Sequence, residues 1–535
     1  MRRHHAALCG VLALLLVPLV PGRAGAQESP RHGGTFVFAI GANPETLNPA
    51  VTTGVEALAV ACKMFNGLVY LDRDWNPQAE LARAWTVSRD GLRISFTLQP
   101  NVRWHDGKPF TSADVKFTME EVLAKFHPRT RLAFANVEAV DAPDPLTVVV
   151  RFKKAYAPFL QQMTCQEAAI IPKHLYEGTE IPKNARNSDN PVGTGPFKWG
   201  RWVRGDFIEM VRNDQYFRPG LPYLDRTIAK IMPDAASRVL ALEAGEVDYI
   251  QSFFLLKQEV ARLRQNPNVQ VKQDTDLPGN FLLFFNTQRK PLDDKRVRHA
   301  LATGLNRQQI LEQAVFGLGS AGKSAIHVAL KWAHDPAVDY TRLFPYDPAR
   351  ANAMLDQAGY KRGADGTRFK LRMVYNVGQA GFNAMAEIAK NNWKALGVDV
   401  SLEPVEFQLT IDKVFAKRDY DVSLQPYTTA GDPAIGIARA YVTMNEGRPF
   451  TNPTGYSNPK LDELFARAAT EPAREERRKL YLETQRIIAE DLPTLVLIDR
   501  TEVDVASAKF RGLWQSAEPY DEWDRVWWVQ GKPSR

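Results

Sequence analysis

Strand and helix signals alternate without a linker from Gly34 almost to the end of the 535-residue chain. Between Leu92 and Leu98, the side chains Leu92, Ile94, Phe96 and Leu98 fall on one side and Arg93, Ser95 and Thr97 on the other. That two-residue period is the pattern of a strand with one buried face. Phe281 to Phe285 is a continuous apolar run, as expected for a strand covered on both faces. Thr35 to Ile40, Leu146 to Phe152 and Phe207 to Arg212 read as further strands. Thr111 or Ser112 can cap a helix whose Val115, Met119, Val122 and Phe126 share one face. Asp347-Pro348 sets a cap before a first-turn proline, and Gly359 closes that helix. Arg477 to Ala489 carries Leu480, Thr484, Ile487 and Ile488 on one side. A chain of this length exceeds one compact core, so the alternation predicts two or three closely connected α/β domains.

The first residues set the expected compartment. Met1 to His5 is a basic head, Leu8 to Val20 an apolar run, and Ala24-Gly25-Ala26 a small-residue cleavage pattern. That order predicts a secretory signal peptide cut after Ala26. The apolar run falls short of the roughly 20 residues a membrane span needs. Cleavage would remove Arg2, Arg3 and Arg23, lowering the formal net charge from +7 to +4, which gives no argument for nucleic acid. Cys62 and Cys165 would remain. An oxidising compartment permits one bridge between them, but two buried free thiols are the simpler expectation. No Cys-x-x-Cys or paired-His pattern supports a metal site, and nothing in the sequence calls for a cofactor.

Six phrases, in order and covering nearly the whole mature chain, are similar to the extracellular solute-binding proteins, family 5, that serve peptide, oligopeptide and nickel ABC importers. They begin with Trp104-His105-Asp106-Gly107-Lys108-Pro109-Phe110-Thr111-Ser112-Ala113-Asp114-Val115, then Gly193-Thr194-Gly195-Pro196-Phe197. The third is Asn286 with Pro291, Asp294 to Leu301 and Asn306-Arg307; the fourth runs from Asp347-Pro348 to Ala358-Gly359-Tyr360. Tyr456-Ser457-Asn458-Pro459 with Leu461-Asp462, and Tyr481, Gln485 and Asp491-Leu492-Pro493, complete the set. Most of these residues have structural readings: Asp106-Gly107 as a tight turn, Gly193 and Gly195 as backbone freedom at a turn, Arg296 and Arg298 as partners of carboxylates or helix ends.

The resemblance implies a two-lobed periplasmic binding protein fold of type II, in its large three-subdomain variant with hinge strands. It places a signal peptide at 1–26, the first lobe at 27–61, 192–285 and 508–535, an inserted subdomain at 62–191, and the second lobe at 286–507. Trp523, Trp527 and Trp528 then read as packing aromatics of the returning C-terminal stretch. It implies a monomer that binds a small molecule, a peptide or peptide-like solute first, and hands it to the transmembrane subunits of an ABC permease without catalysis. A sugar conjugate, an opine-like compound or a chelated metal stays open as ligand.

For the ligand site the sequence offers Asn280, Trp332, Tyr427, Thr428, Thr429 and Asp432. Gly431-Asp432-Pro433 matches the dipeptide-binding branch, in which a carboxylate shortly before the triplet holds the peptide ammonium; Thr429 stands at the matching position. A hydroxyl cannot replace an ion pair there. Two other functions compete. Gly317-Leu318-Gly319-Ser320-Ala321-Gly322-Lys323-Ser324 fits the phosphate-loop pattern, with Asp499 after Leu495 to Ile498 resembling its strand carboxylate. That motif needs a strand before it and a helix after it, whereas Asn306 to Phe316 reads as a helix. A secreted hydrolase lacks a Gly-x-Ser-x-Gly or His-Glu-x-x-His signature.

Overall fold

The computed structural model describes residues 29–274, 278–428, 431–445, 450–520 and 523–529. Cleavage at Ala26 therefore lies outside the described residues. Thr35–Ile40 is buried along its whole length because parallel strands flank it on both sides, Arg226–Ile231 and Tyr249–Ile250. It sits inside a seven-stranded sheet ordered Val269–Asp274, Glu502–Ser507, Tyr249–Ile250, Thr35–Ile40, Arg226–Ile231, Phe207–Arg212 and Phe197–Val203. A separate four-stranded antiparallel sheet, Ala82–Val87, Arg93–Leu98, Thr147–Phe152 and Val137–Asp144, interrupts the first lobe in sequence. The alternation is realised with Ile94, Phe96 and Leu98 buried, whereas Leu92, expected on the same face, lies just before the strand and is exposed.

The second sheet has six strands in the order Gly319–Ala321, Thr494–Arg500, Gly279–Phe285, Val422–Thr428, Phe369–Asn376 and Val398–Val405. Gly279–Phe285, counted above with the first lobe, pairs on both edges with strands of this sheet, and its uninterrupted burial explains the apolar run. The strands Val269–Asp274 and Gly279–Phe285, and again Thr494–Arg500 and Glu502–Ser507, are consecutive in the chain but belong to different sheets. These two junctions are neighbours: Asp274 pairs with Glu502 on the first-lobe side, and Asn280 with Asp499 on the second.

Several local expectations change in detail. Thr111 and Asp114 form a reciprocal capping box at Ser112–Phe117. Val115, Met119 and Val122 are buried, but Phe126 is 39% exposed. A π-turn at Thr118–Leu123 inserts extra rotation, which carries Phe126 off the buried face. Gly107 sits at a φ of +86° in its tight turn. Gly193 and Gly195 instead serve close approach: a Cβ on Gly193 would lie 1.9 Å from the Met64 carbonyl oxygen, and one on Gly195 2.5 Å from the Met64 carbonyl carbon.

The expectation of free thiols is overturned: Cys62 and Cys165 form a disulfide across 103 residues. The segments around them run against each other, Val69 N–H donating to the Met163 carbonyl at 3.1 Å and Ile170 N–H to the Asn66 carbonyl at 3.0 Å. Gly67 permits that approach, since a Cβ there would lie 2.4 Å from the Met163 oxygen. Arg296 pairs with Asp294 at 2.7 Å, and Arg298 is buried against the carbonyls of Leu292, Asp491 and Leu492. Trp523, Trp527 and Trp528 are buried; Trp523 packs on Phe36, Phe38 and Tyr249 of the first sheet. No helix among the described residues is long and apolar enough to cross a membrane.

Candidate functional site

Away from the two strand junctions, the lobes face each other across a cavity of about 500 Å³. The inserted sheet and its neighbours contribute Trp75, Trp85, Arg89, Tyr156 and Gln161; the second lobe contributes Trp332, Arg474 and Arg477. Trp75 occupies the turn of the hairpin Val69–Leu71 and Pro77–Ala79 with a φ of +63°, and its side chain joins the second lobe's apolar core. There it lies against Gly431, where a Cβ would come within 2.6 Å of the indole. Arg474 reaches back to the Asn76 side-chain oxygen at 2.9 Å. The lip is thus a set of side-chain contacts, whereas the opposite end is continuous main chain.

Of the residues singled out in the sequence, Trp332 reaches this cavity. Its Nε1–H donates to the Gly431 carbonyl at 3.3 Å, its ring meets Tyr481 edge-on at 5.6 Å, and the Arg474 and Arg477 guanidinium groups lie over it at 4.9 and 5.2 Å. Tyr427 is buried, donating its hydroxyl to the Thr451 carbonyl at 3.0 Å and packing edge-on to Phe284. Asp432 is fully buried; it caps Pro433–Gly436 through the Ala434 N–H at 2.9 Å, pairs with Arg477 and accepts from the Tyr481 hydroxyl at 3.0 Å. Thr428 ends its strand exposed. Thr429 lies outside the described residues.

Asn280 is buried where the chain enters the second lobe. Its Nδ2 donates to the Asp499 carboxylate at 2.8 Å, and its Oδ1 has no hydrogen-bond partner among the described residues. Burial pushes the Asp499 carboxyl up to about 7, against the opposing pull of the Lys323 backbone amide. That amide donates to Asp499 at 3.2 Å.

The phosphate-loop alternative does not survive this geometry. Gly319–Ala321 is an edge strand on Thr494–Arg500. The Gly322 amide bonds the Leu497 carbonyl at 3.0 Å, and the Lys323 amide is the donor to Asp499 already described, so two amides that would cradle a phosphate are spent inside the sheet. The helix lies before the motif, at Arg307–Gln313, and none begins at Lys323. Gly319 and Gly322 are required because a Cβ on either would lie 2.5 Å from the Asp499 or Val496 carbonyl oxygen.

Arg439, which the sequence reading passed over, donates to the Gly436 and Thr428 carbonyls of its own lobe. Its guanidinium lies 4.8 Å over the Tyr427 ring, and burial holds it below the usual arginine range. Trp75, Trp85, Arg474 and Arg477 were missed as well. Aromatic and arginine side chains scattered over 400 residues carry no local signature, although the turn sequence Asp72-Arg73-Asp74-Trp75-Asn76-Pro77 marks Trp75 as a tip residue.

Residues 76–447 match the profile of the bacterial extracellular solute-binding proteins, family 5. The glutathione-binding protein GsiB of Salmonella paratyphi A is 26% identical over 486 residues, covering 89% of this chain and 91% of that one. The solved structure of the periplasmic binding protein DppA from Helicobacter pylori with the peptide STSA aligns with a TM-score of 0.76 at 23% identity, covering 94% of this chain and 99% of the other. AgaA from A. tumefacien R10 in complex with agropinic acid aligns with a TM-score of 0.74 at 24% identity, covering 93% and 99%. The chain has the type II periplasmic binding fold and belongs to the bacterial extracellular solute-binding proteins, family 5.

Proposed function

We propose that this protein captures a peptide or peptide-like solute between its lobes in the periplasm and delivers it, chemically unchanged, to the transmembrane subunits of an ABC importer. The observation that carries the reading is a 500 Å³ cavity lined from both lobes, away from the neighbouring strand pairs Asp274–Glu502 and Asn280–Asp499 at which the two sheets meet. A solute touching both walls favours the closed arrangement by its differential contacts. Separable side-chain contacts at the lip let the cavity open without breaking a sheet. The named ligands of GsiB and DppA, glutathione and a tetrapeptide, support a peptide-like cargo. The alignment with AgaA keeps small carboxylated solutes in view.

The test is native mass spectrometry of gently isolated protein. It is expected to show the chain with one bound small molecule that is lost on unfolding and returned intact. A tightly purified protein carrying nothing, and taking up no member of a peptide pool on refolding, contradicts the reading.

A further inference from the structure

The cavity between the lobes is lined by three tryptophans, one tyrosine and three arginines, with no Asp, Glu, Lys or His in the lining. Most of these groups are already engaged. Trp332 carries the Arg474 and Arg477 guanidinium groups over its ring and donates its N–H to Gly431. Arg477 pairs with Asp432, and Arg474 donates to Asn76. Trp75 lies against Gly431 in the second lobe's core. Arg89 stands exposed in the turn between Ala82–Val87 and Arg93–Leu98, where solvent screens its charge.

Three groups on the first-lobe wall are not engaged. Trp85 and Tyr156 are half-buried, and neither the Trp85 N–H nor the Tyr156 O–H makes a hydrogen bond among the described residues. Gln161 Oε1 is buried, also with no hydrogen-bond partner among the described residues. Local structure explains why they converge. Ala82–Val87 is an edge strand of the inserted sheet, so Trp85 and Val87, two residues apart, share one face, and both line the cavity. Tyr156 leads into the 3-10 turn Ala157–Gln162, which carries Leu160 and Gln161 to the same wall. The second lobe meets this wall at Pro472: a Cβ on Gly91 would lie 3.3 Å from its ring.

An aromatic wall with few polar groups favours a planar, largely apolar guest. Polar atoms left unpaired on such a wall cost free energy unless the guest supplies partners. A phenol does so in both senses, donating its hydroxyl to Gln161 and accepting from Trp85 or Tyr156. An indole can only donate, and a phenyl ring does neither. With no carboxylate in the lining, a cationic side chain would enter unpaired.

We propose that the cavity is a side-chain subsite for solutes bearing a hydroxylated aromatic ring, the ring received by Trp85 and Tyr156 and its hydroxyl by Gln161. The peptide-like cargo is thereby narrowed to solutes with a tyrosine-like side chain, and the inserted sheet sets that selectivity. This assignment rests on the solute-binding reading above.

The experiment uses protein refolded free of cargo and five tripeptides, Ala-X-Ala with Tyr, Trp, Phe, Ala or Lys at X, read by titration calorimetry and by competition in native mass spectrometry. Wild type is expected to bind the Tyr peptide over the Ala peptide by roughly ten- to a hundredfold, the range for burying one aromatic side chain. Tyr is expected to exceed Phe by about three- to tenfold, the range of one hydrogen bond, and Lys to bind no better than Ala. Gln161→Leu is expected to bring Tyr and Phe level. Trp85→Leu is expected to reduce the preference of both over Ala by about tenfold, with thermal melting confirming that each variant is folded. Equal affinity of wild type for Tyr, Phe and Ala overturns the subsite while leaving solute binding intact, as do Phe binding as tightly as Tyr and unchanged ratios in both folded variants. Capture of none of the five by wild type overturns the peptide-like reading and the subsite with it.

Discussion

The two lobes solve the same packing problem by different means. The first-lobe sheet is assembled from strands between Thr35 and Ser507, interrupted by an inserted sheet and sealed by a returning C-terminal stretch in which Phe510–Arg511 pairs with Trp527–Trp528. The second-lobe sheet comes from one continuous stretch, 279–500. The discontinuous lobe carries the disulfide. Both lobes bury an arginine that gathers carbonyls, Arg238 on Phe254, Met232 and Pro233 in the first and Arg307 on Gly322, Tyr340 and Phe344 in the second; the continuous lobe adds the buried ion pair of Arg477 with Asp432. Long loops cost closure entropy that a covalent link removes from the unfolded chain. Segments already near one another in sequence can rely on hydrogen bonds instead.

The strongest challenge to that contrast is removal of the disulfide. Cys62→Ser with Cys165→Ser is expected to lower the first lobe's unfolding free energy by about 4–5 kcal/mol, the chain-entropy value for a loop near 100 residues, and to leave the second lobe's transition in place. Urea unfolding followed by limited proteolysis checks it; equal loss in both lobes would break the contrast. Arg477→Ala is the converse test. It strands the Asp432 carboxylate at zero exposure and is expected to cost about 3–5 kcal/mol in the second lobe alone.

The junction should respond to pH. The Asp499 carboxyl titrates near 7 in the folded chain against an ordinary 3.8. The unfolded chain therefore loses this proton first, and the stability it contributes is full below about pH 4 and falls as pH rises to about 7. The slope is at most about 1.4 kcal/mol per pH unit. Half-buried His105 and buried His127 and His327, lowered to about 4 by desolvation, act in the opposite sense, losing stability as pH drops below 6.5. The difference between wild type and Asp499→Asn in urea midpoint from pH 5 to pH 7 isolates the aspartate, and no difference would contradict its buried state. The smallest effect is expected at the lip. Gly431→Ala, whose Cβ would meet the Trp75 indole at 2.6 Å, should lower thermal stability slightly and weaken capture of a tripeptide pool up to about tenfold, about 1.4 kcal/mol, by holding Trp75 away.

The strands were legible where one face or both faces of the chain had to be apolar. Thr35–Ile40 and Phe207–Arg212 match residue for residue, since period and burial are local properties. Phe126 failed because one π-turn alters the period without leaving a mark in the sequence. The disulfide was hidden by its 103-residue separation, which the hydrogen bonds of Val69 with Met163 and of Ile170 with Asn66 close. Trp332 was legible as an aromatic in a loop, and it lines the cavity. Tyr427 and Asp432 occupy the segment that suggested a ligand, but their polar atoms are consumed by Thr451, Ala434, Arg477 and Tyr481. Which of two neighbouring polar groups finds a partner inside its own lobe is decided by tertiary packing.

Small-angle scattering on cargo-free protein, before and after addition of a pool of tripeptides, bears most directly on closure over a solute. Binding is expected to shrink the radius of gyration, with Gly431→Ala remaining more extended at equal occupancy. A bound complex with the same radius as the empty protein would contradict closure.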